Sequence, residues 1–146
     1  MISIEEHAKQ QMTTDAIESF PDECCGFFYG SEEASGNRLV IQARAVNNAK
    51  EGDKRKRFEI SPKDYLEAER FAEENELQLL GVYHSHPDHP AIPSEHDRLA
   101  AQPYFSYIII SVYEKDIRDI RSWRLNDASQ FEEEPVREAE SRPLNQ

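Results

Sequence analysis

Two segments of the chain repeat apolar residues at the spacing of one helical face. The first helix is predicted over residues 3–20. The second is predicted from Ser61 to about Asn75, because Ser followed by Pro is a favourable start for a helix. The inward-facing positions are Ile4, Ala8, Met12, Ala16 and Ile17 in the first helix and Tyr65, Ala68, Phe71 and Ala72 in the second. A third, short helix is predicted over residues 94–101.

Short apolar or alternating runs between these helices predict the strands. They span residues 23–30, 39–46, 58–60, 77–83, 107–112 and 117–125. The turn between the first two strands indicates that they pair antiparallel. Because helices and strands are interspersed, the sequence predicts an α/β domain of the α+β type, with a mixed, mostly antiparallel β-sheet flanked by helices.

The 146 residues suit one domain, which we predict over residues 1–126. The remaining stretch, residues 127–146, has six acidic residues against two basic ones and little apolar surface to bury. Such a segment gains too little from packing to offset the entropy of ordering it. We therefore expect an acidic, flexible C-terminal tail.

The charge balance excludes two classes of partner. The chain has 17 Lys and Arg against 29 Asp and Glu, a formal net charge of −12. Nucleic acids and anionic membranes are themselves negative, so neither is an expected partner. We also expect neither a membrane span nor a secretory signal, because no apolar run has the required length or flanks. The adjacent Cys24 and Cys25 form no disulfide framework, which favours a reducing, cytoplasmic compartment.

Residues that commonly bind metals follow the predicted strand 77–83. His84 and His86 are two positions apart, so in a continued strand both imidazoles point to one face. Ser94 and Asp97 are three positions apart and share a face of the short helix. Two histidines and a carboxylate form a zinc site with a fourth position open to water, whose pKa zinc lowers to about 7. The pattern therefore predicts a zinc site that supplies a nucleophile at neutral pH.

Each fragment of this pattern also has a purely structural interpretation. His-x-His pairs occur at strand ends by chance, and Ser94-x-x-Asp97 has the form of a helix capping box. The zinc hypothesis further requires a group that takes and returns the proton of the water. Glu23, at the start of a predicted strand, and Glu59, between two apolar residues, are both candidates. Spacing alone does not choose between them.

Taken together, the fragments resemble the JAMM signature, His-x-His-Pro-x(6)-Ser-x-x-Asp, of the MPN zinc metalloproteases. The chain has HSHP at residues 84–87, followed by Ser94 and Asp97 at the spacing of the signature. The segment PDECCG at residues 21–26 is similar to the one that holds the catalytic glutamate of the family. The segment FEISP at residues 58–62, placed before a helix, also matches the family layout. The similarity covers nearly the whole predicted domain.

The resemblance implies a JAMM/MPN fold, which is like that of cytidine deaminases, and it implies roles for five residues. His84, His86 and Asp97 would bind one zinc ion per chain, Glu23 would be the general acid and base, and Ser94 would help hold the oxyanion. The small bacterial-type members that the chain resembles hydrolyse an amide bond at or near the C-terminus of a ubiquitin-like, β-grasp sulfur-carrier protein. The implied partner is therefore the C-terminal tail of such a protein.

Two other classes of function are related to this fold. A non-catalytic, MPN-type protein-binding module is the alternative, but such subunits usually lack the complete metal set. A zinc-dependent deaminase requires a Cys-x-x-Cys pair, which the adjacent Cys24 and Cys25 do not provide. The complete set of five residues therefore favours the hydrolase.

A basic run, residues 50–57, stands out in this acidic chain. It has five basic and two acidic residues, a net charge of +3. The run is either a solvated loop or an electrostatic attachment point for an acidic partner. The sequence leaves both interpretations open.

Overall fold

The computed structural model describes residues 1–139. The elements in chain order are β1 (Ile2–Ile4), α1 (Glu6–Ser19), β2 (Cys25–Glu32), β3 (Arg38–Val46), α2 (Pro62–Glu74), β4 (Gln78–Pro87), α3 (Glu95–Ala100), β5 (Ser106–Tyr113), β6 (Asp116–Leu125), β7 (Phe131–Glu134) and β8 (Val136–Glu138). Within the described residues the strands form one sheet in the order β7-β6-β5-β4-β2-β3-β1-β8. Four of the neighbouring pairs are antiparallel and three are parallel. The predicted mixed, mostly antiparallel sheet with flanking helices is confirmed.

A hydrophobic core lies on each face of the sheet, because side chains alternate along the strands. On one face, Phe28 of β2 shares a core with Met12 of α1. On the other face, Phe27 and Val82 share a core with Ala68 of α2. Full burial of a side chain such as Phe28 or Met12 contributes about 1.5–3 kcal/mol. The helices therefore cover the sheet from opposite sides.

The structure corrects two of the predicted element boundaries. The first helix begins at Glu6 instead of residue 3, because Ile2–Ile4 forms β1, which pairs parallel with β3. The strand predicted at residues 58–60 is a loop, in which Ala49 donates its N–H to the carbonyl of Glu59. The second helix begins as predicted, with the N–H of Asp64 donating to Ser61 Oγ at 3.1 Å. No helix in residues 1–139 combines the length and apolar character needed to cross a membrane.

The prediction of a flexible tail was wrong for residues 127–139. Here β7 pairs antiparallel with β6 and β8 pairs parallel with β1, and only Pro135 separates the two strands. The N–H of Ile2 donates to the Pro135 carbonyl at 2.9 Å. This segment therefore supplies both outer strands of the sheet.

The charge count missed this segment because backbone pairing does not depend on the side chains that face solvent. Glu134 is one of the acidic residues counted, yet it is buried and its Oε1 accepts a hydrogen bond from Ser122 Oγ at 2.7 Å. Val136 packs against the core on the α1 side. The part of the predicted tail at residues 140–146 lies outside the described residues.

Candidate metal centre

The end of β4 carries both predicted histidines. β4 continues through His84 and His86 to Pro87, and His84 lies opposite Cys25 of the antiparallel β2. Glu23 is two residues before Cys25, so it comes to the strand end at which His86 lies. Side chains two positions apart share a face of a strand. The pairing of β2 with β4 therefore brings Glu23 and both imidazoles to one place.

Glu23, His84 and His86 form a compact buried cluster. One potential ligand atom of each residue lies within 4.8 Å of those of the other two. Oε1 of Glu23 is 3.5 Å from Nδ1 of His84, and the two imidazole centroids are 5.0 Å apart. The three residues are 5%, 1% and 9% exposed in chain order. Such burial removes most of the water that would otherwise solvate these polar atoms.

The short helix α3 brings Asp97 to the same cluster. Its Oδ2 is 3.2 Å from Nε2 of His86 and 3.9 Å from Nε2 of His84. Ser94 caps α3: its Oγ accepts from the N–H of Asp97 at 3.0 Å, and its own N–H donates to Asp97 Oδ2 at 2.9 Å. This is the capping box that the Ser-x-x-Asp pattern allowed. The capping box orients Asp97 toward the histidines, so the structural and the metal-site interpretations are compatible.

Two neighbours hold the imidazole rings in place. Nδ1 of His86 lies 2.9 Å from the carbonyl of Pro90. A carbonyl only accepts, so Nδ1 carries a proton and Nε2 is the nitrogen directed at Asp97. The Phe58 ring stacks on the His84 ring with centroids 4.5 Å apart and an angle of 27°. Contacts of this kind fix the orientation of metal-binding histidines and select their tautomer.

The charges in the cluster stabilise one another. Burial opposes protonation of His86, but its hydrogen bonds with Asp97 and Pro90 outweigh this effect and raise its pKa. Burial alone would raise the pKa of Asp97, whereas the neighbouring His84, His86 and the Ser94 N–H together hold it well below the usual range. Asp97 is therefore an ionised carboxylate at neutral pH. An ionised carboxylate is the form that binds a cation.

Two buried polar atoms of the cluster have no hydrogen-bond partner among residues 1–139. They are Oε1 of Glu23 and Nδ1 of His84. An unpaired buried polar group costs about 1–3 kcal/mol, so native structures rarely leave one without a compensating contact. Imidazole nitrogen and carboxylate oxygen are common ligand atoms of zinc. The residues present therefore fit a bound metal ion.

Two residues that the sequence analysis did not single out hold Glu23 in position. Ser85 Oγ accepts from the N–H of Cys24 at 2.8 Å, and Asn48 Nδ2 donates to the Glu23 carbonyl at 3.2 Å. The N–H of Glu23 donates to the Lys54 carbonyl at 2.8 Å. Strand alternation is the signal for Ser85, because a serine between two inward-facing histidines points to the opposite, buried face. Asn48 stands in a polar loop and gives no such signal.

The alternative base Glu59 lies outside the cluster. Its side chain is 55% exposed and forms an ion pair with Lys50 at 3.6 Å. Exposed ion pairs of this kind contribute little to stability. Of the two carboxylates that spacing could not separate, Glu23 is the one beside the histidines.

Glu23 lines two cavities. The smaller one, which we call the cleft, has a volume of about 460 Å³. The cleft is lined by Glu23, Lys56, His86, His89, Pro90, Ile92 and Ser94. The larger cavity, of about 750 Å³, is bordered by Glu23, Lys54, the end of β3 and α2. A substrate bound beside Glu23 therefore has room in both cavities.

Relatives of known function share most of this chain. A desampylase of Pyrococcus furiosus is 32% identical over 117 residues, which cover 80% of this chain and 76% of that protein. A CysO-cysteine peptidase of Mycobacterium tuberculosis is 29% identical over 126 residues, which cover 86% of this chain and 82% of the relative.

Solved structures and a family model agree with these relatives. A protein from Desulfitobacterium hafniense, solved in solution, matches with a TM-score of 0.84 and 29% identity over 97% of this chain and 94% of that one. A JAB1/MPN domain protein from Archaeoglobus fulgidus matches with a TM-score of 0.60 and 18% identity over 94% and 99% of the two chains. The second match confirms the expected JAMM/MPN fold. A family model described as prokaryotic homologs of the JAB domain matches residues 5–126, and the chain belongs to that family.

Proposed function

We propose that this chain is a zinc-dependent metallopeptidase. Its substrate is the C-terminal tail of a ubiquitin-like protein of the sulfur-carrier type, in which it hydrolyses an amide bond at or near the C-terminus. The observation that carries the proposal is the buried cluster of Glu23, His84, His86 and Asp97 beside an open cleft. The names of the relatives, a desampylase and a CysO-cysteine peptidase, support this substrate class.

In the proposed mechanism each residue of the cluster has one role. His84, His86 and Asp97 would hold the zinc ion. When bound, zinc would act as a Lewis acid toward the scissile carbonyl and would lower the pKa of its bound water to about 7. Glu23 accepts a proton from the attacking water and delivers it to the leaving nitrogen. Ser94 donates its O–H to the developing oxyanion, a contact worth about 3 kcal/mol when well aimed.

The outer edge of β3 offers a place for an extended tail. β1 pairs with β3 only over Arg38–Val40, so within the described residues the later part of β3 has no strand on that side. Gln11 of α1 accepts from the N–H of Ala43 at 3.0 Å and covers one position of the edge. The following residues, Arg44 to Val46, line the larger cavity beside Glu23. An extended peptide binds such an edge through main-chain hydrogen bonds, which directs the tail toward the cluster.

A cytoplasmic location is part of the proposal. It is supported by Cys24 and Cys25, which are both unpaired and buried. Disulfides form mainly in oxidising compartments, and free buried thiols are typical of proteins that remain in reducing ones.

The decisive experiment combines metal analysis with cleavage of a defined substrate. The purified full-length chain is analysed for zinc and incubated with a β-grasp carrier protein that bears one added C-terminal amino acid, and the products are weighed by mass spectrometry. We expect cleavage of the bond before the added amino acid, loss of activity with a chelator and recovery with zinc. Glu23→Gln should retain zinc and lose at least about 100-fold in kcat, the contribution of a general base.

Glu59→Gln is the matched control for that variant. It removes the carboxylate that the sequence offered as the alternative base, and it should keep full activity. A chain that cleaves equally well after metal removal, or a fully active Glu23→Gln variant, would refute the proposed mechanism. A chain that binds the carrier and cleaves nothing would instead be the non-catalytic binding module.

A further inference from the structure

The basic loop of residues 50–57 is tied to the main chain of Glu23. Asn48 makes the connection: its Nδ2 donates to the carbonyls of Glu23 and Arg57, at 3.2 and 3.1 Å. Its Oδ1 accepts from the N–H groups of Lys50 and Glu59, at 3.0 and 3.1 Å. The Asn48 side chain thus joins both ends of the loop to Glu23, which lines both cavities. The loop therefore has a defined place at the rim of the site.

The loop contributes a positively charged residue to the lining of the cleft. Lys56 lines the cleft together with Glu23 and His86, whereas Lys54 lines the larger cavity. Of the five basic side chains in the loop, only that of Lys50 lies within 4.0 Å of a carboxylate of the described residues. Lys56 is thus a cation at the reaction site that no carboxylate of the described protein neutralises. In a chain with a net charge of −12, such a cation favours an anionic ligand group.

The rest of the cleft is small and partly apolar. Pro90 and Ile92 line it, and Ile92 is 53% exposed. A volume of about 460 Å³ suits one or a few residues and not a folded protein surface. The cleft therefore offers a cation and an apolar wall within reach of the cluster that performs the proposed hydrolysis.

Two kinds of leaving group differ in what they bring to this cleft. A single C-terminal amino acid carries its α-carboxylate only one carbon atom away from the scissile nitrogen. The side chain of a lysine in an isopeptide bond brings four methylene groups at that place and no carboxylate. A charge-assisted hydrogen bond between an ammonium group and a carboxylate is about twice as strong as a neutral one. A cation in the lining of the cleft therefore distinguishes the first leaving group from the second.

We infer that Lys56 binds the α-carboxylate of the residue that is released, so that the chain removes single C-terminal amino acids in preference to cleaving isopeptide bonds. The inference rests on the proposed function. In the reaction the oxygen of one water bonds to the scissile carbonyl carbon, the C–N bond breaks, and the nitrogen takes a proton through Glu23. The products are the carrier's terminal carboxylate and a free amino acid, whose carboxylate leaves from Lys56.

The kinetic test uses three peptides with the same acyl part, ending in Gly-Gly. One continues with alanine and a free carboxylate, one with alanine carboxamide, and one is linked to Nζ of Nα-acetyl-lysine amide. We expect kcat/KM for the free acid to exceed that for the carboxamide and the isopeptide by at least about tenfold. Lys56→Met should bring kcat/KM for the free acid down to that for the carboxamide, so that the preference is lost. Lys54→Met removes the same charge from the other side of the loop and should keep the preference.

A binding measurement makes the outcome independent of turnover. Fluorescently labelled acid and carboxamide peptides are titrated with the zinc-supplemented Glu23→Gln chain, with and without Lys56→Met. The acid should bind at least about fivefold more tightly, and only Lys56→Met should abolish the difference. Equal binding of the two peptides overturns the inference, whatever the activity. A binding preference without hydrolysis of any peptide would support the carboxylate site and refute the proposed hydrolysis. Equal hydrolysis of the acid and the carboxamide would support the proposed hydrolysis and refute the carboxylate site.

Discussion

The main-chain N–H of Cys24 donates a hydrogen bond to Oγ of Ser85 at 2.8 Å, and the N–H of Ser85 donates to the Cys24 carbonyl at 3.2 Å. Ser85 stands between His84 and His86, and its side chain points to the opposite face of β4. The pair therefore joins the residue after Glu23 to the strand segment that carries both imidazoles. The distance between the base and the histidines depends on this contact.

Ser85→Ala should lower kcat by about tenfold or more while zinc content stays unchanged. The substitution removes the acceptor of the buried Cys24 N–H, which costs about 1–3 kcal/mol of stability. It also frees Glu23 to shift, and displacements of about 1 Å at a reacting group cost up to about 100-fold in rate. The histidines and Asp97 are untouched. Steady-state kinetics, metal analysis and thermal unfolding of the same preparation measure the three effects.

Ser122→Ala is the matched control for Ser85→Ala. Ser122 is also fully buried and hydrogen-bonded, to Glu134 at 2.7 Å, but it lies on β6, which β5 separates from β4. It should lose comparable stability and keep its kcat. Equal losses of kcat in the two variants would show that Ser85 acts on stability alone.

Removal of the residues after Asn126 should destabilise the chain by about 3 kcal/mol or more. The truncation deletes β7 and β8, leaves β1 with β3 as its one partner strand, and removes the contact of the partly buried Val136 with the core. Loss of burial at aliphatic side chains of this size costs about 1.5–3 kcal/mol each. Urea unfolding of the truncated and full-length chains measures the difference.

The double variant Glu132→Gln, Glu133→Gln separates the charge of this segment from its pairing. Both side chains are exposed on β7, so removing their charges should change stability by less than about 1 kcal/mol. If the truncated chain of the preceding paragraph unfolds at the same urea concentration as the full-length chain, the sequence prediction of a flexible tail would be supported.

The site was largely predictable because its residues are marked by local spacing. His84 and His86 follow strand alternation, and Ser94 and Asp97 follow helix capping, so both pairs are recognisable in short windows of sequence. The choice of Glu23 over Glu59 needed the pairing of β2 with β4, which no short window contains. The same holds for β1, whose three residues are too few to show a hydrophobic period and are defined by strands distant in sequence. The hydrophobic and polar pattern of the sequence therefore does not reveal strand pairing between distant segments or hydrogen bonds within loops.

Cys24 and Cys25 should be unreactive in the native chain. They are 4% and 0% exposed. Burial and the nearby negative charge of Asp15 raise the pKa of Cys25 to about 12, and the same two causes raise the pKa of Cys24. The thiolate is the reactive form of cysteine, so neither residue reacts at pH 8. Ellman's reagent should modify fewer than about 0.1 thiols per native chain and both thiols in guanidinium chloride.

Ser35→Cys is the positive control for thiol reactivity, since Ser35 is exposed in the turn between β2 and β3. This variant should react within seconds to minutes with one equivalent of reagent. Rapid stoichiometric modification of the unaltered native chain would contradict the burial of the cysteine pair.

Asp15 should make stability fall as the pH rises from acid toward neutral. Burial raises its pKa, although hydrogen bonds from Tyr83 at 2.8 Å and Ser19 at 3.3 Å act in the opposite direction. The folded chain therefore holds this proton more tightly than the unfolded chain does. The resulting stabilisation is complete below the pKa of the unfolded carboxyl and is lost as the pH rises through the folded pKa.

Asp15→Asn tests this sign, because the amide oxygen still accepts from Tyr83 and cannot ionise. The variant should be more stable than the parent chain at pH 7, and the difference should shrink as the pH falls toward 4. Urea unfolding at the two pH values measures it. Asp127→Asn removes the same charge from an exposed position and corrects for the effect of net charge. The two variants could instead show the same gain in the free energy of unfolding at both pH values. Burial of the Asp15 carboxylate would then carry no free-energy cost.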